Sequence, residues 1–162
     1  MRIISGKFKG KKISLPKDNL TRPLRDIVKE SIFNILKHSN LFHCNIEKAY
    51  ILDLFSGTGS FGLECISRGA AHVTFYENYK KALKVLMKNI QSLNCSSCTK
   101  IFNKNIFNVD LKFLGKFDII FLDPPFKCRG IGKIISSLIN KNILKKNGII
   151  ILHKHKNDKD NS

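Results

Sequence analysis

From Tyr50 onward the chain repeats one pattern: a short apolar run rich in β-branched residues, a turn, then a stretch with apolar residues at helical spacing. That alternation commits a chain to stacked βαβ units, because a strand that returns parallel to its neighbour needs a long crossover, usually a helix. Strands are predicted at about 50–55, 72–77, 99–103, 117–122 and 148–153, and helices at about 60–68, 79–93 and 131–140, the first stopped by Gly69. The run Phe117-Asp118-Ile119-Ile120-Phe121-Leu122 is apolar on both faces, as helices on both sides of a sheet require. The fold class is therefore α/β, with a mainly parallel sheet flanked by helices. At 162 residues and 43% hydrophobic content the chain suits one core rather than two.

Upstream of this pattern, residues 2–22 alternate basic and apolar side chains around Gly6 and Gly10, which predicts a short strand or hairpin standing as an appendage before the core. Leu24 to Leu36 has apolar residues at helical spacing, with Pro23 suited to the first turn of an amphipathic helix. The expected organisation is a basic extension over 1–22, an α/β domain over 23–153 and a polar tail over 154–162. No stretch approaches the roughly 20 apolar residues of a membrane-spanning helix, and Met1-Arg2-Ile3-Ile4 opens no signal peptide, so a cytoplasmic protein without a membrane partner is expected. Five cysteines lack the paired spacing of a disulfide framework, and Cys95-Ser96-Ser97-Cys98 has no second ligand pair. It reads as a turn between helix and strand, and no metal site is expected.

The formal net charge is +17, and the first 25 residues carry eight Lys/Arg against the single acid Asp18. A field of that sign draws phosphate backbones. An AT-rich codon bias explains part of the lysine excess, but a uniform bias does not crowd charge at one end. Arg2, Lys7, Lys9, Lys11, Lys12, Arg22 and Arg25 are the expected nucleic-acid contacts.

Three motifs carry chemistry. Asp53-Leu54-Phe55-Ser56-Gly57-Thr58-Gly59-Ser60-Phe61-Gly62 stands where a strand ends and a helix begins, and its glycines let the backbone bend tightly against a ligand. The P-loop pattern is absent. Glu77 closes the second strand, where an acid can accept both hydroxyls of a ribose. Together these two imply an adenosine-containing cofactor without separating a dinucleotide from S-adenosylmethionine. Asp123-Pro124-Pro125-Phe126, directly after the fourth strand, separates them. An exocyclic aromatic amine is a poor nucleophile, its lone pair being delocalised into the ring. Two acceptors aimed at its N–H bonds, the Asp123 carboxylate and the Pro124 carbonyl, redirect that pair toward a methyl donor while Pro124 and Pro125 fix the turn. Phe126 offers a face for an extruded base, worth roughly 1–3 kcal/mol of stacking. A dehydrogenase has no use for this arrangement. An ordinary aspartate, with a pKa near 3.9, serves better as acceptor than as a base acting before transfer.

These residues are similar to those of the RsmD family of 16S rRNA guanine-N2 methyltransferases. The likeness runs through the basic opening Arg2 to Lys12, through Arg22-Pro23, Asp26, Val28, Glu30, Phe33 and Asn34, through Leu52 to Glu64 and Ser67-Arg68-Gly69-Ala70, and through Asp123-Pro124-Pro125-Phe126. The resemblance implies a class I, Rossmann-like methyltransferase domain, S-adenosylmethionine as cofactor, and the small ribosomal subunit as partner. It implies that Asp53, Gly57 and Gly59 line the methionine and ribose side, that Glu77 takes the ribose hydroxyls, and that Asn105 and Ile106 flank the adenine. Phe55, Thr58, Asn78 and Asp123 complete the expected cofactor set, with Asp123, Pro124, Pro125 and Phe126 as the catalytic turn.

Three departures accompany the likeness. Asn105 stands where relatives usually carry an acid, although an amide oxygen still accepts from an adenine amine. Leu24 replaces a hydroxyl residue. Relatives also continue past the fifth strand into an antiparallel hairpin, which is expected to be missing after Ile149-Ile150-Ile151-Leu152-His153. An uncovered edge strand invites pairing with a second copy. Two rival functions share these features: methylation of a DNA adenine amine, and a catalytically weakened rRNA-binding or assembly module.

Overall fold

The computed structural model describes residues 1–18, 21, 23–39, 45–126 and 128–154. Its elements run α1 (Asp26–His38), β1 (Tyr50–Leu54), α2 (Ser60–Ser67), β2 (His72–Tyr76), α3 (Lys80–Ser92), β3 (Thr99–Phe102), β4 (Phe117–Leu122), α4 (Ile131–Asn140) and β5 (Leu144–Leu152). One sheet of order β3-β2-β1-β4-β5 joins the strands, every pair parallel.

Side chains that alternate along each strand feed two cores. Ile51, Val73, Phe75, Ile119 and Phe121 face Phe33, Phe61, Ile66, Leu86 and Ile90 of α1, α2 and α3. Leu52, Leu54, Tyr76, Ile120 and Leu122 face Ile131, Ile134 and Leu138 of α4. This is why the β4 run is apolar at every position but one. Phe61 sits between Phe33 and Phe121, with ring centroids 5.4 and 4.0 Å away, tying α1 through α2 to the middle of the sheet. Gly69 follows α2 in a left-handed conformation (φ 100°), the helix stop that the sequence signals.

The structure corrects three expectations. Helix α1 starts at Asp26 after an extended Arg25, so Pro23 precedes the helix instead of opening it. Leu24, 5% exposed, is drawn into the core at that point, which holds the chain extended before the first turn. Strand β5 begins at Leu144 rather than 148, its register with β4 slipping between Phe117 and Ile119. The segment Lys145-Lys146-Asn147-Gly148 reads as a loop because it accommodates that irregularity, with Asn147 at φ 65°.

The opening segment is a hairpin with one antiparallel bridge, Arg2 to Lys12, but it is no appendage. Ile3 and Ile13 are 0% and 3% exposed within the core. The hairpin is moored to α2: Ile4 N and Ser5 N donate to the Glu64 carboxylate at 2.8 and 3.0 Å, Lys7 N donates to Ser67 O at 2.8 Å, and Phe8 N to Ser67 Oγ at 2.9 Å. Gly6 (φ 80°) makes that approach possible, since a Cβ there would lie 1.8 Å from the Ser67 carbonyl oxygen. Gly6→Ala is therefore expected to cost about 2–3 kcal/mol, a left-handed penalty of about 1–2 kcal/mol plus a weakened mooring. Gly10, with the same backbone and no heavy atom within 4 Å of such a Cβ, should show the backbone penalty alone. Equal denaturation midpoints for the two variants would refute the mooring.

Candidate active site

Strand order reverses between β1, whose next neighbour leads to β2, and β4, which leads to β5. Open parallel sheets bind ligands in the crevice beyond the carboxyl ends of strands at such a switch. The turn after β1 and the turn after β4 both open there: Asp123 N donates to Leu54 O at 3.4 Å.

The first turn is built around two acids. Asp53, 1% exposed, accepts from Gly62 N at 3.0 Å through Oδ2 and so braces the start of α2. Its Oδ1 is buried and has no hydrogen-bond partner among the described residues. Burial holds its carboxyl well above the ordinary range, the Gly62 N–H offsets part of this, and the charges of Asp123 and Glu77 add to it. Glu77 reaches across from β2: Oε2 accepts from Gly57 N at 2.6 Å and Oε1 from Tyr79 N at 2.7 Å. The acid's orientation is thereby fixed by the turn it faces, with lone pairs left over for further donors.

Gly57 and Gly59 are left-handed at φ 55° and 82°. Among the described residues a Cβ at Gly57 would meet only the Thr21 methyl, 3.9 Å away. Phe55 shares the left-handed backbone at φ 58°, an uncommon state for an aromatic residue that tends to mark ligand sites. Thr58 is buried, and Asn89 of α3 donates to its carbonyl at 3.0 Å. Phe55, Glu77, Asn78, Asn105 and Ile106 line one pocket together with Tyr76 and Lys104. The predicted set on this side thus comes together. Asn105 does more than expected: its Oδ1 also accepts from Phe107 N at 3.1 Å and caps a short 3-10 turn.

In the second turn Asp123 and Pro124 are half-buried, while Pro125 and Phe126 are exposed, Phe126 at 50%. Cys128 N closes the turn on Pro125 O at 2.8 Å. Burial pushes the Asp123 carboxyl above the ordinary range and the neighbouring His153 pulls it partly back. The contact responsible, His153 Nδ1 to Asp123 Oδ1 at 2.8 Å, was not foreseen. Strand register could have found it: Leu122 pairs with Leu152, so the next residues of two parallel strands stand side by side. Tyr76, Lys104 and Asn89 were also missed. Asn89 had no signal, because nothing local distinguishes it from other polar residues of α3.

Arg2, Lys7, Lys9, Lys11, Lys12 and Arg25 are all exposed, and Arg22 lies outside the described residues. The segment that follows the hairpin runs beside the first turn: Tyr79 Oη donates to Asp18 Oδ2 at 2.9 Å, and Thr21 is the neighbour of Gly57. The Cys95–Cys98 segment is a 3-10 turn between α3 and β3, as read, and burial lifts the Cys95 thiol to about 11. No helix among the described residues is long and apolar enough to cross a membrane.

The residues present fit a cationic cofactor: three carboxylates converge on the crevice and the buried Asp53 Oδ1 lacks a donor among the described residues, a setting hostile to a dinucleotide's phosphates. Fold and site together define a class I S-adenosylmethionine-dependent methyltransferase. A family model described as "Conserved hypothetical protein 95" matches residues 1–161. The chain is 37% identical to ribosomal RNA small subunit methyltransferase D of Haemophilus influenzae, across 96% of this chain and 79% of that one. It is 38% identical to the protein of the same name from Buchnera aphidicola subsp. Acyrthosiphon pisum, across 95% and 78%. The solved structure of yhhF from Escherichia coli, described as a methyltransferase, superposes with a TM-score of 0.80 at 31% identity, covering 95% of this chain and 80% of that one. The chain belongs to the RsmD family of rRNA small subunit methyltransferases.

Proposed function

We propose that the protein moves a methyl group from S-adenosylmethionine to the exocyclic N2 amine of a guanine in 16S ribosomal RNA, acting in the cytoplasm on the small subunit or its precursor. The observation that carries this reading is the half-buried Asp123 carboxylate at the end of β4, in one crevice with Asp53 of β1. The bound cofactor supplies an electrophilic methyl. Asp53 and Glu77 would hold its cationic and ribose parts beside Gly57, Thr58 and Gly59, and Phe55, Asn78, Asn105 and Ile106 would flank its adenine. Asp123 and the Pro124 carbonyl accept from the two amine N–H bonds, and Pro125 and Phe126 shape the face on which the extruded base stacks. Because burial raises its proton affinity, Asp123 is better placed than an ordinary aspartate to take the amine's proton once the methyl has moved.

Mass spectrometry of nucleosides after incubation with small-subunit particles tests the reading. N2-methylguanosine in 16S RNA is the expected product. N6-methyladenine in a DNA control would replace it with a DNA enzyme, and binding without transfer would leave an assembly factor.

The exposed hairpin lysines are read as phosphate contacts that position without reading sequence. Replacing Lys7, Lys9, Lys11 and Lys12 by Gln should reduce the slope of log affinity against log salt by about 3, at roughly 0.7–0.9 for each phosphate no longer neutralised. An unchanged slope removes the hairpin from the interface.

A further inference from the structure

Asp123 must hold one oxygen toward the reacting amine, yet it sits on a turn with an exposed side, where nothing in β4 fixes its carboxylate rotation. Among the described residues one side chain hydrogen-bonds to it, His153. The position of that ring is set by backbone: His153 N donates to Leu122 O at 2.9 Å, extending the β4–β5 ladder one step beyond Leu122 and Leu152. The pair is half-buried, with side-chain exposures of 35% for His153 and 27% for Asp123. A histidine that donates its Nδ1–H to one oxygen of a carboxylate fixes the carboxylate's rotation and leaves the other oxygen to accept elsewhere.

We propose that His153 is a positioning residue for the methylation reaction, its Nδ1–H orienting the Asp123 carboxylate so that Oδ2 is left for the amine. This rests on the reading of Asp123 as the amine's acceptor. The proton balance is complete within the site. The amine nitrogen's lone pair forms the new N–CH3 bond, and the electron pair of the broken S–CH3 bond leaves with sulfur. One N–H proton passes to Asp123, its bonding pair staying on nitrogen. That proton sits on Oδ2, because Oδ1 is taken by the Nδ1–H of His153, and it leaves from there to water.

Other charges bear on the pair from neighbouring strands. Asp53 at the end of β1 interacts with Asp123, Glu77 after β2 interacts with Asp53, and Lys154 follows His153 in the chain.

Single-turnover methylation of small-subunit particles with labelled cofactor tests this in His153→Ala and His153→Asn. His153→Ala should lower the plateau rate at least tenfold with cofactor Kd changed less than threefold. His153→Asn, whose amide can still donate to Asp123, should recover part of the plateau. Thermal midpoints and cofactor Kd near wild type establish that both variants are folded. An active wild type whose rate is matched by His153→Ala overturns the inference alone. A wild type that binds cofactor and methylates no particle overturns the functional reading, and the role of His153 falls with it.

Discussion

Asp123→Ala is expected to reduce methyl transfer by at least 10²–10³-fold, the usual loss when a group preorganised at the reacting atoms is removed. Cofactor affinity should change by less than about threefold. The separation follows from where the acids stand. Asp53 and Glu77 are anchored by Gly62, Gly57 and Tyr79, without any contribution from Asp123, so the cofactor side survives the change. Removing the Asp123 charge even relieves some repulsion on Asp53. Stability should hardly move, because the partner left behind, His153, is 35% exposed and can turn to water. Asp123→Asn keeps an acceptor oxygen but cannot take a proton, so it should fall between wild type and Ala. Single-turnover rates paired with calorimetric cofactor titrations read both halves. Abolished cofactor binding with residual transfer would reassign Asp123 to the cofactor.

What the sequence revealed depended on how local the determinant was. The parallel sheet followed from strand and helix periods that each element carries within itself, and both turns of the candidate site lie in contiguous motifs at strand ends. The β5 start was hidden because Lys145 to Gly148, of loop composition, bulges out between the pairs Phe117–Leu144 and Ile119–Ile149. The hairpin's burial was hidden for a different reason: the carboxylate that receives Ile4 and Ser5 is 60 residues away on α2. His153 lies between these cases, being implied by register once β4 and β5 are known to be neighbours. Asn105, read as a departure, turns out to hold its own 3-10 turn, which no single-residue substitution argument would indicate.

Glu64→Ala is expected to cost about 3–5 kcal/mol of stability, more than any other change to the hairpin mooring. Glu64 is fully buried, and its carboxylate accepts from Ile4 N, Ser5 N and Arg68 Nε, the last at 2.9 Å. Lys29 Nζ, also with no exposed side chain, lies 3.8 Å from it, 3.5 Å from Asp26, and donates to Arg2 O at 2.8 Å. Truncation strands two backbone N–H groups and leaves the Lys29 ammonium facing Asp26 alone. Burial already lowers the Lys29 pKa, with Glu64 and then Asp26 opposing the shift. Without Glu64 the shift deepens, so the folded variant binds fewer protons than its unfolded chain, and its stability rises with pH above the folded pKa. The gap between Glu64→Ala and wild type should accordingly narrow from pH 7 to pH 9.5 in denaturant titrations. A gap independent of pH would mean that Lys29 is not the burdened group. Because Asp53, Glu77 and Asp123 are held by other contacts, cofactor affinity measured below the unfolding temperature should stay near wild type while RNA affinity falls with the loosened hairpin. A parallel fall in both would show that the mooring also shapes the cofactor turn, through the Ser14, Asn89 and Thr58 hydrogen bonds that join hairpin, α3 and glycine loop.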